Sequence, residues 1–205
     1  MNAGEIRVWR VRLDEVRPEW LPEPAAEEAA CAARLRSAPM RQRYLRAHGA
    51  LRAILRTQAG AAPELAIAEK GKPYLANVPR LNFNLSHSHG LALVAVALEV
   101  EVGVDVERLR PLPLRECQAI AERFFPPSES AALEQTPAAG RERDFFRRWT
   151  RIEAALKARG VGLYGAGAEL GSDWTLREIE AGEGFAAAVA APRAGMTVTV
   201  HDFEQ

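Results

Sequence analysis

Gly103-Val104-Asp105-Val106-Glu107, read together with Trp149-Thr150-Arg151-Ile152-Glu153-Ala154-Ala155-Leu156-Lys157, decides how the rest of the chain is organised. The first piece alternates apolar and acidic residues. It is predicted to be a strand with Val104 and Val106 on one face and Asp105 and Glu107 on the other. Two residues along a strand rise roughly 7 Å, at about 3.3 Å each, so both carboxylates can reach one cation. The second piece reads as helix, and Glu153 and Lys157, four residues apart, share a face of it. Three hard oxygen ligands beside an ammonium suit a Mg²⁺ ion that holds a phosphate-bearing substrate.

The 205 residues suffice for one large domain or two small ones with an ample core. Lys+Arg and Asp+Glu each total 27, so no overall field draws the chain to nucleic acid or to an anionic membrane. Any anion site must be a local cluster. The two cysteines, Cys31 and Cys117, fall in helix-like stretches at no ligand spacing. They suggest buried small residues in a reducing compartment rather than a disulfide. No cationic segment followed by an apolar run opens the sequence, and the longest apolar run, Leu91 to Leu98, is too short to span a bilayer. A soluble cytoplasmic protein is expected.

Residues 5–13 alternate apolar and charged, as a half-buried strand does, but the parity changes between Val8 and Trp9, as at a bulge. Helices are expected from about Pro24 to Arg36 and from about Pro39 to Ala59. The second has Tyr44, Leu45, Leu51, Ile54 and Leu55 as its apolar stripe. Arg41, Arg43, Arg46, Arg52 and Arg56 make its other face basic, which reads first as a solvated surface. A short strand near Leu65 to Ala68 leads into Glu69-Lys70-Gly71-Lys72-Pro73. Such a turn can offer ammonium groups and a backbone N–H to a phosphate, although Lys-Gly turns are also common surface features. Phe83-Asn84-Leu85-Ser86-His87-Ser88-His89-Gly90 precedes the apolar strand Leu91–Leu98. Ser86 and His87 can donate to an anion; His87 and His89 alternate and could equally be metal ligands, or a histidine satisfied in a polar turn.

The acidic strand is expected beside Leu91–Leu98. Beyond it come a helix from Leu114 to Phe125, a short helix from Glu129 to Glu134 capped by Ser128, and a linker at Pro137–Gly140. A long helix follows from about Arg141 to Arg159, with Phe145, Trp149, Ile152 and Leu156 as its core stripe and Gly160 at its C-cap. Glu153 and Lys157 border that stripe, where a partly desolvated carboxylate needs a cation. A glycine-rich loop spans Val161 to Gly171. Strand candidates at Trp174–Ile179, Phe185–Ala191 and Met196–Phe203 close the chain. Each half runs strand, helices, strands, which hints at a duplicated architecture without a residue-level repeat.

Four pieces in order carry a resemblance: Gly71-Lys72-Pro73; Phe83-Asn84-Leu85-Ser86-His87-Ser88; Gly103-Val104-Asp105-Val106-Glu107; and Trp149-Thr150-x-x-Glu153-Ala154-x-x-Lys157 followed by Gly160-x-Gly162-Leu163. Together they resemble the Sfp-type 4′-phosphopantetheinyl transferases, from about Arg43 to the glycine loop. Arg123-Phe124-Phe125 and Glu129 fit as well. The resemblance implies an α+β fold of two similar subdomains, 1–101 and 102–205, related by pseudo-twofold symmetry with the ligands in the cleft between them. It implies a monomer that transfers the 4′-phosphopantetheine arm of coenzyme A to a serine of an apo acyl, peptidyl or aryl carrier protein and releases adenosine 3′,5′-bisphosphate. Such carriers serve fatty-acid, polyketide and non-ribosomal peptide synthesis.

In that picture Mg²⁺ is held by Asp105, Glu107 and Glu153, and Mn²⁺ would accept the same oxygens. Lys157 contacts the pyrophosphate, and Glu153 is the candidate base for the carrier serine. Ser86 and His87 become phosphate donors, Lys72 a coenzyme A contact and Arg43 the partner of the 3′-phosphate. His89, Arg46 and Arg56 stay outside the site. Many members have Lys where this chain has Ile152, which sits on the core stripe. Two rivals remain: a Mg²⁺-dependent pyrophosphohydrolase acting on nucleotides, with water as nucleophile, and a catalytically silent module that binds coenzyme A or a carrier.

Overall fold

A strand with no polar position needs cover on both faces, and Leu91–Leu98 finds it between a helix and a second sheet. The structure, a computed structural model, describes residues 1–165 and 167–204. In chain order its elements are β1 (Glu5–Arg12), α1 (Ala26–Ala33), α2 (Ala38–Ala59), β2 (Leu65–Ile67), β3 (Pro73–Leu75), β4 (Leu81–Ser88), β5 (Leu91–Leu98), β6 (Gly103–Arg108), α3 (Leu114–Phe124), α4 (Pro127–Glu134), α5 (Ala138–Arg159), β7 (Thr175–Glu178), β8 (Phe185–Ala191) and β9 (Thr197–Asp202). One sheet has the order β4-β5-β1-β9, another β6-β8-β7, and β2–β3 is a separate hairpin. The class is α+β, as expected.

Leu91, Leu93, Ala95 and Ala97 of β5 join Ile6 and Val8 of β1 against Val104, Val106 and Val189 of the second sheet. The alternate residues Ala92, Val94 and Val96 join Val11 and Phe83 against Leu51, Ile54 and Leu55 of α2. On the outer face of the second sheet, Ala188 and Ala190 meet Ala154 and Ala155 of α5. The layers therefore run helix, sheet, sheet, helix, driven by burial of apolar area on both faces of each sheet. The two long helices are 22 residues each, and both stop at a glycine in the left-handed region, Gly60 at φ 71° and Gly160 at φ 65°.

Several expectations are corrected. The ladder from β1 to β5 runs unbroken from Ile6↔Ala97 to Arg12↔Leu91, so the parity change marks no bulge. Ile6 and Val8 face the second sheet while Trp9 and Val11 face α2, so both parities are apolar where each face has cover. The acidic strand β6 hydrogen-bonds to β8, not to β5, and stacks across the face of the first sheet. At the C-terminal end, β9 returns to pair in parallel with β1. Ser128 lies inside α4, whose cap is Pro126, and its hydroxyl donates to Glu169 at 2.6 Å. Residues 138–140, expected as a linker, form the first turn of α5 behind Pro137. Cys31 is exposed, while Cys117 is buried as expected. The loop expected at 161–171 includes Ala166, which lies outside the described residues.

Candidate active site

Val104 and Val106 anchor β6 in the core between the sheets. That turns Asp105 and Glu107 to the face where their β8 partners, Ala188 and Ala186, pack towards α5. Helix α5 approaches this strand unusually closely, because position 103 has no side chain. A Cβ there would lie 2.0 Å from the Ala154 carbonyl oxygen and 2.4 Å from the Ala158 nitrogen. Glu153 and Lys157, one helical turn apart, are thereby held over the acidic strand.

Asp105 is buried at 4% exposure. Its Oδ1 accepts from Lys157 Nζ at 2.5 Å and from Ser86 Oγ at 2.9 Å, while its buried Oδ2 has no hydrogen-bond partner among the described residues. Glu107 Oε2 accepts from Ser88 Oγ at 3.2 Å. Burial pushes the Glu107 carboxyl above the usual range, and the Asp105 charge adds to the effect. Burial raises Glu153 too; Lys157 opposes the rise, and Asp105 and Glu107 reinforce it. A buried orphan oxygen beside two carboxyls that resist ionisation is a hard-donor set short of positive charge. It fits an oxygen-preferring divalent cation by charge and donor type. Among the described residues, no three His, Cys, Asp or Glu side chains are gathered closely enough to enclose an ion. The Lys157 ammonium stands against Asp105 instead.

A cavity of about 700 Å³ opens next to this cluster, and Ser86, His87 and Lys157 line it together with Leu51, Leu85 and Pro73. His87 lies on the opposite face of β4 from Ser86, towards α2, where its ring meets Tyr44 edge-on with centroids 6.4 Å apart. Burial lowers its pKa, and Lys157 lowers it further. The imidazole is therefore neutral at pH 7, with one N–H to give. His89 sits in the β4–β5 turn at φ 53°, past the end of β4, so it shares no strand face with His87.

The remaining predicted residues are engaged in ways the sequence did not reveal. Arg43 donates to both Asp14 oxygens, at 2.9 and 2.7 Å. Lys72 Nζ meets Glu101 at 2.5 Å, the Val102 carbonyl at 3.2 Å and the Ala158 carbonyl at 3.0 Å. It ties the β2–β3 turn to the junction of β6 and α5. Lys72→Met should cost about 1.5–3 kcal/mol, since it strands carbonyls bonded to a charged donor. A fall in the urea midpoint at unchanged slope checks it; an unchanged midpoint would show the tie to be idle. Asn84, Ser88 and Gly103 were missed as parts of the site. Their signal was present in the polar alternation at 84, 86 and 88 beside the buried Phe83, and in a glycine opening a strand that alternates valine with acidic residues.

The comparisons with known proteins fall on these same elements. The family model described as the 4′-phosphopantetheinyl transferase superfamily matches residues 101–189, which contain β6 and α5. The chain is also 34% identical over 171 residues to 4′-phosphopantetheinyl transferase HetI of Nostoc sp., a match covering 78% of this chain and 71% of that protein. The chain belongs to the 4′-phosphopantetheinyl transferase superfamily. A further relative, 4′-phosphopantetheinyl transferase psf-1 of Bacillus pumilus, is 35% identical over 114 residues, or 55% of this chain and 45% of its own length. In this phosphopantetheinyl transferase, Ile152 packs against the aromatic cluster that includes Phe145 and Trp149. An apolar residue before Glu153 therefore costs the helix nothing in packing.

Proposed function

We propose that this transferase moves the 4′-phosphopantetheine arm of coenzyme A onto a serine hydroxyl of an apo carrier protein. The observation that carries the reading is the shared face of β6 and α5, where Lys157 meets Asp105 and the Glu107 and Glu153 carboxyls lie near enough to feel both charges, beside a cavity. The carrier serine oxygen attacks the phosphorus that bears the pantetheine arm. The bond from that phosphorus to the bridging oxygen breaks, and adenosine 3′,5′-bisphosphate leaves with the electron pair. Glu153 takes the serine proton, a role that its raised pKa suits. Asp105, Glu107 and Glu153 would hold Mg²⁺ or Mn²⁺, which would neutralise the pyrophosphate and the charge on the leaving oxygen. An ammonium has three donors, and Lys157 spends two on Asp105 and Ser86; the third is left for the pyrophosphate.

His87 donates to the same phosphates, while Ser86, expected as a second phosphate donor, lines the cavity with its proton given to Asp105. Lys72 reaches coenzyme A by exchanging Glu101 for it, keeping its two carbonyl contacts. Arg43 takes the 3′-phosphate in place of Asp14. Residues 1–101 thus supply Arg43, Lys72, Ser86 and His87, and 102–205 supply the three carboxylates and Lys157, so a monomer holds the whole site. Among the described residues no helix is long and apolar enough to cross a membrane. With balanced charge and two unpaired thiols, a cytoplasmic enzyme without nucleic-acid or membrane partners is the reading we adopt.

Chromatography of coenzyme A reactions with and without apo carrier tests the chemistry. Adenosine 3′,5′-bisphosphate should form only with the carrier; release without it would favour pyrophosphate hydrolysis by water. For Arg43→Ala, the KM for coenzyme A should rise about tenfold, the loss of one charged contact, with little change for 3′-dephospho-coenzyme A. Equal losses for both donors would remove Arg43 from the 3′-phosphate site.

A further inference from the structure

The two inner edges of the sheets, β4 and β6, do not pair backbone to backbone. In its ladder with β8, β6 turns alternate N–H groups towards β8 and the others away, towards β4. Those outward amides are met by side chains. Asn84 Oδ1 accepts from the Val104 N–H at 2.9 Å, Ser86 Oγ from Val106 at 3.4 Å, and Ser88 Oγ from Arg108 at 3.1 Å. The offset is constant, so the two strands run parallel with one polar side chain for each outward amide. The two hydroxyls then spend their protons on the acidic residues between those amides: Ser86 on Asp105 at 2.9 Å and Ser88 on Glu107 at 3.2 Å. Ser86 also accepts from Lys157 at 3.0 Å, which leaves it no unused proton or lone pair.

We propose that Asn84, Ser86 and Ser88 form a positioning rail, by which β4 sets the height and rotation of β6 and so the aim of Asp105 and Glu107 towards Glu153 and Lys157. The inference rests on the carboxylate site described above and adds positioning residues to it. None of the three acts on substrate through the rail. Each accepts from a backbone amide of the strand that carries the acids, and their regular two-residue spacing is what a strand needs to hold a neighbour in one register.

The experiment uses Ser88→Ala and Ser88→Thr for activity and metal binding, since Ser86 touches the ion-pair core and both Ser86 and Asn84 line the cavity; Asn84→Ala is read by exchange alone. Amide hydrogen exchange reads the rail without reference to activity. In Asn84→Ala, protection at Val104 should fall; in Ser88→Ala, protection at Arg108 should fall. Titration with Mn²⁺ followed by its paramagnetic resonance signal reads the aim of the acids. Ser88→Ala should weaken Mn²⁺ binding about tenfold and lower kcat by a similar factor, with KM for coenzyme A unchanged. Ser88→Thr, which keeps the hydroxyl, should restore both. If exchange protection falls while Mn²⁺ affinity and kcat stay at the wild-type values, the rail is only a seam and the positioning role is overturned. Unchanged protection in both alanine variants would overturn the rail itself. A wild-type protein that neither binds Mn²⁺ nor transfers overturns the reading of the site and the proposal with it, a result visible before any variant is made.

Discussion

Gly103→Ala should lose about 3 kcal/mol or more of stability, the largest effect expected of any single methyl group in this protein. The added carbon would sit 2.0 Å from the Ala154 carbonyl oxygen, and the other nearby atoms, the Ala158 nitrogen and the Lys157 carbonyl carbon, are backbone as well. No side chain can rotate to make room, so either α5 moves off β6 or the strand shifts along β8. Overpacking against side chains usually costs 1–3 kcal/mol, and backbone gives less readily. For a chain of this size the loss corresponds to a melting midpoint lower by roughly 6–12 °C. Any folded remnant should also lose transfer activity, because moving α5 carries Glu153 and Lys157 away from Asp105. A variant that melts and turns over like the wild type would show that α5 does not need its close approach.

Glu153→Gln should lower turnover about 10²–10⁴-fold while leaving the metal-free protein as stable as the wild type or more so. The sign follows from the raised pKa of this carboxyl. Below its ordinary value the group is protonated in both folded and unfolded chains and costs nothing. As the pH rises through the higher folded value, the native state must ionise a half-buried acid that the unfolded chain ionises freely, and stability is lost. Glutamine carries no such cost. The two melting curves should therefore coincide at low pH and separate by roughly 1–3 °C at pH 8, the variant higher, in EDTA. Added Mg²⁺ should reverse the order by favouring the ionised wild-type site. Asp105→Ala should behave differently: it strands the Lys157 ammonium and the Ser86 hydroxyl, and so should destabilise as well as inactivate. Identical pH profiles for wild type and Glu153→Gln would contradict a desolvated Glu153.

Much of this was legible in the residues. Period-two patterning in residues 103–107 placed the two acids on one face, and the aromatic stripe of the 138–159 helix placed Glu153 and Lys157 at its edge. Both periods report one-sided burial, which local sequence encodes. What escaped is long-range. The changed parity of β1 looked like a bulge because sequence cannot say that its two ends face different layers. The acidic strand was expected beside its sequence neighbour β5, yet it bonds to β8, some eighty residues on. The partners of Lys72 and Arg43, and the use of Asn84, Ser86 and Ser88 on backbone amides, depend on which edges the fold brings together.

The most direct test of the central claim is the intact mass of an apo carrier protein after incubation with this enzyme, coenzyme A and Mg²⁺. A gain of one phosphopantetheine, abolished by EDTA and by Glu153→Gln, is the predicted result. An unchanged mass across acyl, aryl and peptidyl carriers, with coenzyme A still bound by the wild type, would contradict it and leave a silent coenzyme A-binding module.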